Sequence, residues 1–444
     1  MSAGLRQLVD RVQHRLLFVP VMFVLAAVVG SQLMLQVDSL LNDQVVPELI
    51  ATTVEGGRSI LSAIATGLIS SVTLLLSLML VAVQLAGSQF SPRTIRDWIG
   101  DRTQQVTIGI VLGTAVYCLL ILRQTRALGE GEELVPHLSV LLALVGGVVS
   151  LVAVVRSVDH LTDSLRVGRV SGNIVVQTVK AIERADKVRS GQRPTLSPAP
   201  LTGYASVLGS IPDGAVAVES SRAGWIQQID DEAVLTALEA GATARAAVAL
   251  GSFTLPRAPL LWVWPAPDDA CVERLRAAIA IGDTRTMQQD VGFGILQLVD
   301  IALRALSPGV NDPNTANDMV VHLGVILLAL WERPISSSER TSEGRTVIRV
   351  EPSHDDYLRA AFDQLRRHGA GDVDVAATMV RSLQALRSEV VRRQLPGPVE
   401  PIDNVARELM EAVTASDLTT ADKARVVALN RAPQTSPLQA AGTS

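Results

Sequence analysis

The chain has 444 residues, 48% of them hydrophobic and only 3% aromatic, with a formal net charge of -5. That balance, with no arginine-rich arm, gives no sign of a nucleic-acid partner. Its two cysteines, Cys118 and Cys271, lie too far apart for a disulfide framework or a metal knuckle.

The apolar excess is Leu, Val and Ala, the composition of membrane spans rather than of an aromatic-rich soluble core. Four apolar runs, roughly 16–37, 60–85, 106–122 and 138–155, contain no Asp, Glu, Lys, Arg or His. Each is close to the about 20 helical residues that a hydrocarbon core requires. The first is longer than a signal-peptide core and lacks a small-residue cleavage pattern, so it reads as a retained span. The lack of intramembrane carboxylates argues against a proton-relay pump. Arginines flank the runs on one side (Arg6, Arg11, Arg15; Arg93, Arg96, Arg102; Arg156, Arg166, Arg169), and Asp38, Asp43, Glu48 and Glu55 dominate the loop after the first. The positive-inside rule therefore predicts four spans with both termini in the cytoplasm.

The second run carries a stripe of Ser59, Ser62, Thr66, Ser70, Thr73, Ser77, Gln84 and Ser88, with Ser71 the one hydroxyl off it. At about 100° per residue these fall within a sector of roughly 80°. Such a face is costly against lipid, so it meets another helix or lines a water path built from several copies. Gly109 and Gly113 form a GxxxG pair on the third run, and Gly146, Gly147 and Ser150 form a similar small-residue face on the fourth. Between the second and third runs, "SPRTIRDWIGDR" (91–102) reads as an interfacial elbow helix.

Beyond the last run the helical pattern continues to about residue 187, closing a transmembrane domain over 1–187. Residues 188–200 are a Pro/Ser/Gly-rich linker. A small β-rich module is expected over 201–265, a helical domain over 266–430 with a polar loop at 334–346, and a disordered tail over 431–444. Within the helical domain, "ALRALSPGVNDPNTAND" (302–318) breaks one apolar helix and starts another. Asp312 followed by Pro313 has the form of an N-cap and first helical residue, and Asp300 and Arg304 can pair at i,i+4. A competing reading gathers Asp290, Asp300, Asn311, Asp312 and Asn314, with Arg304 nearby, into a small-ligand or divalent-cation site, although no EF-hand order is present. No GxSxG, Walker, HExxH or dinucleotide fingerprint occurs, and the six histidines form no ligand spacing. No enzyme, cofactor or resident metal is expected.

The segments "SQFSPRTIRDWIGDRTQQ" (88–105), "VYCLLILR" (116–123), "AGWIQQIDDEAVL" (223–235) and "RTMQQDVGFGILQLVDIALRALSPGVNDPNTA" (285–316) resemble a bacterial family of predicted membrane proteins, domain of unknown function 2254. Asn314 stands where that pattern suggests an aromatic residue. The resemblance implies four spans and a cytoplasmic domain, and it implies no activity. The 215–265 stretch also looks loosely like a biotinyl/lipoyl-type sandwich without its lysine turn.

The expected fold class is thus a membrane protein with a four-helix transmembrane domain followed by a cytoplasmic α+β domain. The leading functional expectation is a homo-oligomeric ion channel or passive transport protein in the bacterial inner membrane. Ser62, Thr66, Ser70, Thr73, Ser77 and Gln84 would line its path. The alternative is a membrane-anchored sensor or scaffold whose cytoplasmic domain binds a ligand or protein partner.

Overall fold

A computed structural model describes residues 18–40, 53–89, 101–127, 137–164, 166–190, 211–333 and 339–431. The expected elbow helix at 91–102, the linker and the tail lie, but for a few residues at their edges, outside the described residues. The chain divides into two units, one up to Arg169 and one from Val170 onward.

The first unit holds α1 (Phe18–Leu40), α2 (Val54–Gln89), α3 (Arg102–Ala127) and α4 (His137–Ser164). All four are long and apolar enough to cross a membrane. α3 is the central helix, packed against α1, α2 and α4. Its GxxxG pair makes that possible. A Cβ at Gly109 would lie 2.6 Å from the Phe23 ring of α1, and one at Gly113 would lie 3.1 Å from the Phe23 carbonyl. On its other side α3 meets α4 along Ser139, Ala143, Gly146, Ser150, Ala153 and Ser157, small residues at alternating four- and three-residue steps. That is the spacing of a coiled-coil seam, and small side chains bring the two backbones close.

Polar groups on the α3–α4 seam find one another. Ser150 Oγ donates to Thr114 Oγ1 at 3.1 Å, and Ser157 Oγ donates to Gln104 Oε1 at 2.6 Å. At the opposite end the Asp38 carboxylate of α1 accepts from the Leu138 and Ser139 backbone N–H groups, each at 3.1 Å, and from the Ser139 hydroxyl. Asp38 thus caps α4 from another helix and satisfies donors that its first turn leaves open.

The sequence suggested that α4 runs on unbroken to about residue 187. The structure instead interrupts it between Ser164 and α5 (Val167–Ser190). Ser164 turns its hydroxyl back onto the Leu161 carbonyl at 2.8 Å, and Arg169 reaches back to Asp163 at 2.7 Å, which closes α4 at this joint.

The second unit combines two sheets with a helical bundle. Its strands are β1 (Val216–Glu219), β2 (Gly224–Ile229), β3 (Thr243–Ala249), β4 (Phe253–Thr254), β5 (Pro259–Trp264), β6 (Ile279–Gly282), β7 (Glu339–Ser342) and β8 (Arg345–Val350). Between them stand α6 (Asp231–Ala237) and α7 (Asp269–Ala277). One sheet has the order β1-β5-β3-β8-β7 and the other β4-β2-β6. All pairings are antiparallel except β3 with β8.

The expected β module ending at residue 265 is therefore too short. β6 completes the second sheet, and the β7–β8 hairpin, whose first strand and turn fall in the expected polar loop at 334–346, adds two strands to the first. Glu343 and Gly344 supply consecutive positive φ values of 50° and 75°, the backbone of a tight hairpin turn that follows strand twist. Only Val347 of this hairpin is deeply buried, so its sequence reads as polar.

The bundle consists of α8 (Val291–Ala305), α9 (Pro313–Trp331), α10 (His354–Gly369), α11 (Val373–Arg393), α12 (Glu400–Ala415) and α13 (Thr420–Arg431). α8 exposes none of its residues and packs against α9 and α10. By length and composition α9 is a fifth helix able to cross a membrane. In the fold it is a core helix between α8, α10 and α11, with Met319, Val320, Leu323, Ile326, Leu327 and Trp331 fully buried. α5 joins this unit through Thr178, whose hydroxyl sits where a Cβ on Gly294 of α8 would lie, 1.9 Å away.

The C-terminal end of α9 is held by a buried histidine. His354 Nε2 lies 3.3 Å from the Leu330 carbonyl, its ring edge meets Trp331 with centroids 4.6 Å apart, and Trp331 Nε1 donates to the Pro398 carbonyl at 2.8 Å. Burial lowers the His354 pKa from the ordinary 6.5, because the charged ring is disfavoured away from water. A depressed histidine pKa means that the unfolded chain takes up the proton first. The His354 contribution to stability is therefore full above about pH 6.5 and is lost as pH falls toward the folded value. The full chain in detergent should melt at a lower temperature at pH 5.5 than at pH 7.5, and the gap between the chain and His354→Gln should narrow over the same interval. A gap independent of pH would contradict this assignment.

Candidate functional site

α2 packs with its apolar side inward. Leu61, Ala65, Leu68, Val72, Leu75, Met79 and Ala82 are buried, among α3 and α4. At about 100° per residue these centre roughly 150° away from the hydroxyl stripe. Ser62, Thr66, Ser70, Thr73, Ser77 and Gln84 are all exposed. Ser71, off the stripe, is half-buried. The six residues singled out from the sequence thus share one outward face, and no other helix of the chain's described residues covers it. Glu55 and Ser59, in the first turns of α2, extend the same face and are exposed too.

The hydroxyls are internally bonded. Ser70 donates to the Thr66 carbonyl at 3.0 Å, Thr73 to Ile69 at 3.2 Å and Ser77 to Thr73 at 2.9 Å. Each proton is spent on the preceding helical turn, so what remains for the surroundings is oxygen lone pairs.

The corner between α8 and α9 is built as the sequence suggested. Asn311 takes the left-handed conformation at φ 50°, and the Asp312 N–H donates to the Ala305 carbonyl at 2.8 Å. Asp312 then caps α9, accepting from Thr315 N at 3.1 Å and from the Thr315 hydroxyl at 2.6 Å, with Pro313 in the first turn. The Thr315 hydroxyl and backbone N–H hold the Asp312 carboxyl below its ordinary value.

The candidate ligand set does not converge. Asp290 caps the start of α8 and Asp312 follows its end, so the helix of 15 residues separates them by about 22 Å at 1.5 Å per residue. Asp300 and Arg304 sit half-buried in its second half, and Asn311 is exposed at the bend. Among the described residues no group of three or more His, Cys, Asp or Glu is arranged to hold a metal ion.

Asp290 is committed to structure by a partner that the sequence did not reveal. Arg285 grips both of its oxygens at 2.8 and 2.9 Å, while Oδ1 also accepts from Phe293 N at 3.1 Å. The Arg285 guanidinium lies 6.0 Å from the Trp225 ring centroid and 5.4 Å from that of Phe293. Gly251, at φ 73°, leaves the room this pair needs, since a Cβ there would come 2.1 Å from Asp290 Oδ2. No local spacing signals the pair, because the room it needs is left by Gly251, more than thirty residues earlier.

Asp312→Ala should therefore cost about 0.5–2 kcal/mol, the usual loss of an N-cap, and lower the melting temperature of the purified chain at neutral pH. Because the Asp312 pKa is depressed below 3.8, that cost should persist down to about that pH and vanish only below it. Millimolar calcium or magnesium should leave the melting temperature unchanged. A divalent-dependent rise abolished by Asp312→Ala would show that the bend is an ion site.

Three comparisons bear on identity. The model of the predicted membrane protein family DUF2254 matches residues 13–385. Uncharacterized proteins of Mycobacterium bovis and Mycobacterium tuberculosis are each 27% identical over 345 residues, a span covering 75% of this chain and 64% of each relative's own length. No solved structure matches.

Proposed function

The chain belongs to the DUF2254 family of predicted membrane proteins, and within it we propose a homo-oligomer in which α2 helices from several copies surround a path for ions or small solutes. The observation that supports this is the orientation of α2, which buries Leu61, Leu68, Val72 and Leu75 and turns Ser62, Thr66, Ser70, Thr73, Ser77 and Gln84 outward, flanked by exposed Ile69, Leu74, Leu80 and Leu85. Facing lipid, their free lone pairs and the Gln84 amide would find no partner. Facing an axis, they meet water or a permeant species.

The reading places four spans in the bacterial inner membrane with both termini in the cytoplasm, following the arginine distribution. α9 is assigned to the water-soluble domain, because its apolar residues are already used by α8, α10 and α11. It invokes no catalysis, cofactor or nucleic acid.

One observation favours the alternative of a membrane-anchored sensor or scaffold. The stripe hydroxyls donate to their own helix, which lowers the cost of leaving them against lipid or a packed neighbour. Flux separates the two. Ser77→Leu adds apolar volume to a water path and favours dewetting there, so ion or solute flux into reconstituted liposomes should fall severalfold while the oligomer stays assembled. Ser71→Leu, pointing about 100° away from Ser70, should do much less. Absence of flux through the unmodified protein under any ion gradient would leave the anchored sensor.

A further inference from the structure

Where α3 begins and α4 ends, two ionisable side chains meet that the proposed path does not use. Asp101 caps α3, with Oδ1 accepting from Thr103 N at 2.8 Å. Its other oxygen lies 3.2 Å from Nδ1 of His160 on α4. The contact is not aligned as a hydrogen bond, and Nδ1 is buried with no hydrogen-bond partner. One turn deeper, Gln104 and Ser157 exchange hydrogen bonds at 2.6 and 3.3 Å in a buried pair that fixes the two helices side by side. One turn further along α4, Asp163 pairs with Arg169 at the joint.

We propose that Asp101 and His160 form a proton-operated clasp, fastening the start of α3 to the end of α4 when His160 is protonated and releasing it when the ring is neutral. An imidazolium this close to a carboxylate attracts it whatever the alignment, because a charge–charge interaction has no preferred direction. A neutral ring loses that attraction. In one tautomer its N–H points off the carboxylate, and in the other it turns a lone pair toward it. Imidazole is the side chain whose charge ordinarily changes between about pH 5 and 8, which makes its protonation the natural switch for this contact.

The other charges near this pair come from α3 and α4 themselves. α3 brings Asp101 and Arg102 to this end, and α4 itself brings Arg156, Asp159 and Asp163, the last engaged with Arg166 and Arg169. Among the described residues, α1 and α2, the other helices packed on α4, carry their charged residues Asp38, Glu55 and Arg58 at the opposite end. Because His160 sits one turn before the interruption at Ser164, opening the clasp frees the root of the joint that leads into α5.

Amide hydrogen exchange of the full chain in lipid nanodiscs tests this. Exchange over residues 102–106, corrected for the intrinsic pH dependence, is measured at pH 5.5 and 8.0. The wild-type segment should be about threefold or more better protected at the lower pH, the scale of a partly shielded ion pair. Asp101→Asn keeps a capping oxygen and removes the charge, so its protection should no longer depend on pH. His160→Arg carries a permanent charge and should be protected at both pH values. Equal protection of the wild type at both pH values, or a pH dependence that survives Asp101→Asn, would overturn the clasp. Should His160→Arg misassemble, the Asp101→Asn comparison decides alone.

Discussion

Hydrocarbon offers no hydrogen-bonding partner, so every polar side chain on an apolar helix has to be answered by protein, by water or by its own backbone. Two helices of the first unit answer that demand in opposite ways. α3 turns its polar groups inward, where Thr114 finds Ser150 and Gln104 finds Ser157. α2 buries leucines, valines and alanines and turns its hydroxyls out. A lone helix bundle gains nothing by that inversion. An assembly that puts the outward faces of α2 around a common axis does, and the channel proposal rests on this asymmetry.

The second unit follows a different economy. α8, α9 and α10 bury their apolar faces on one another, and the Asp312 cap with Asn311 in the left-handed region turns the chain sharply between the first two. Residues that resembled a binding constellation, Asp290 and Asp312 above all, each serve one helix start. Asp290 is also neutralised by Arg285, which lies near two aromatic rings. Carboxylates whose oxygens already hold several donors are poor material for an ion site.

What could be read from residues alone was whatever depends on local spacing. The hydroxyl stripe, the Gly109–Gly113 contact and the Asp312–Pro313 helix start are all set by neighbours within a few turns, and each stands where its spacing put it. The parts that escaped depend on distant partners. β7 and the start of β8 look like a polar loop because the neighbours β3 and α6 arrive from about a hundred residues earlier, and only Val347 shows a buried face. The Arg285–Asp290 grip needs Gly251 from another strand to make room. Nothing near His160 in the sequence names Asp101 as its neighbour. The break of α4 at Ser164 was missed because apolar periodicity resumes in α5.

The central claim, that the hydroxyl face of α2 meets other copies of the chain, is tested most directly by a cryo-EM reconstruction of the full-length protein in lipid nanodiscs. A symmetric assembly is expected, in which Ser62, Thr66, Ser70, Thr73, Ser77 and Gln84 from each copy face a shared axis with a continuous opening. A particle in which acyl-chain density lies against that face, with no second α2 nearby, would contradict it.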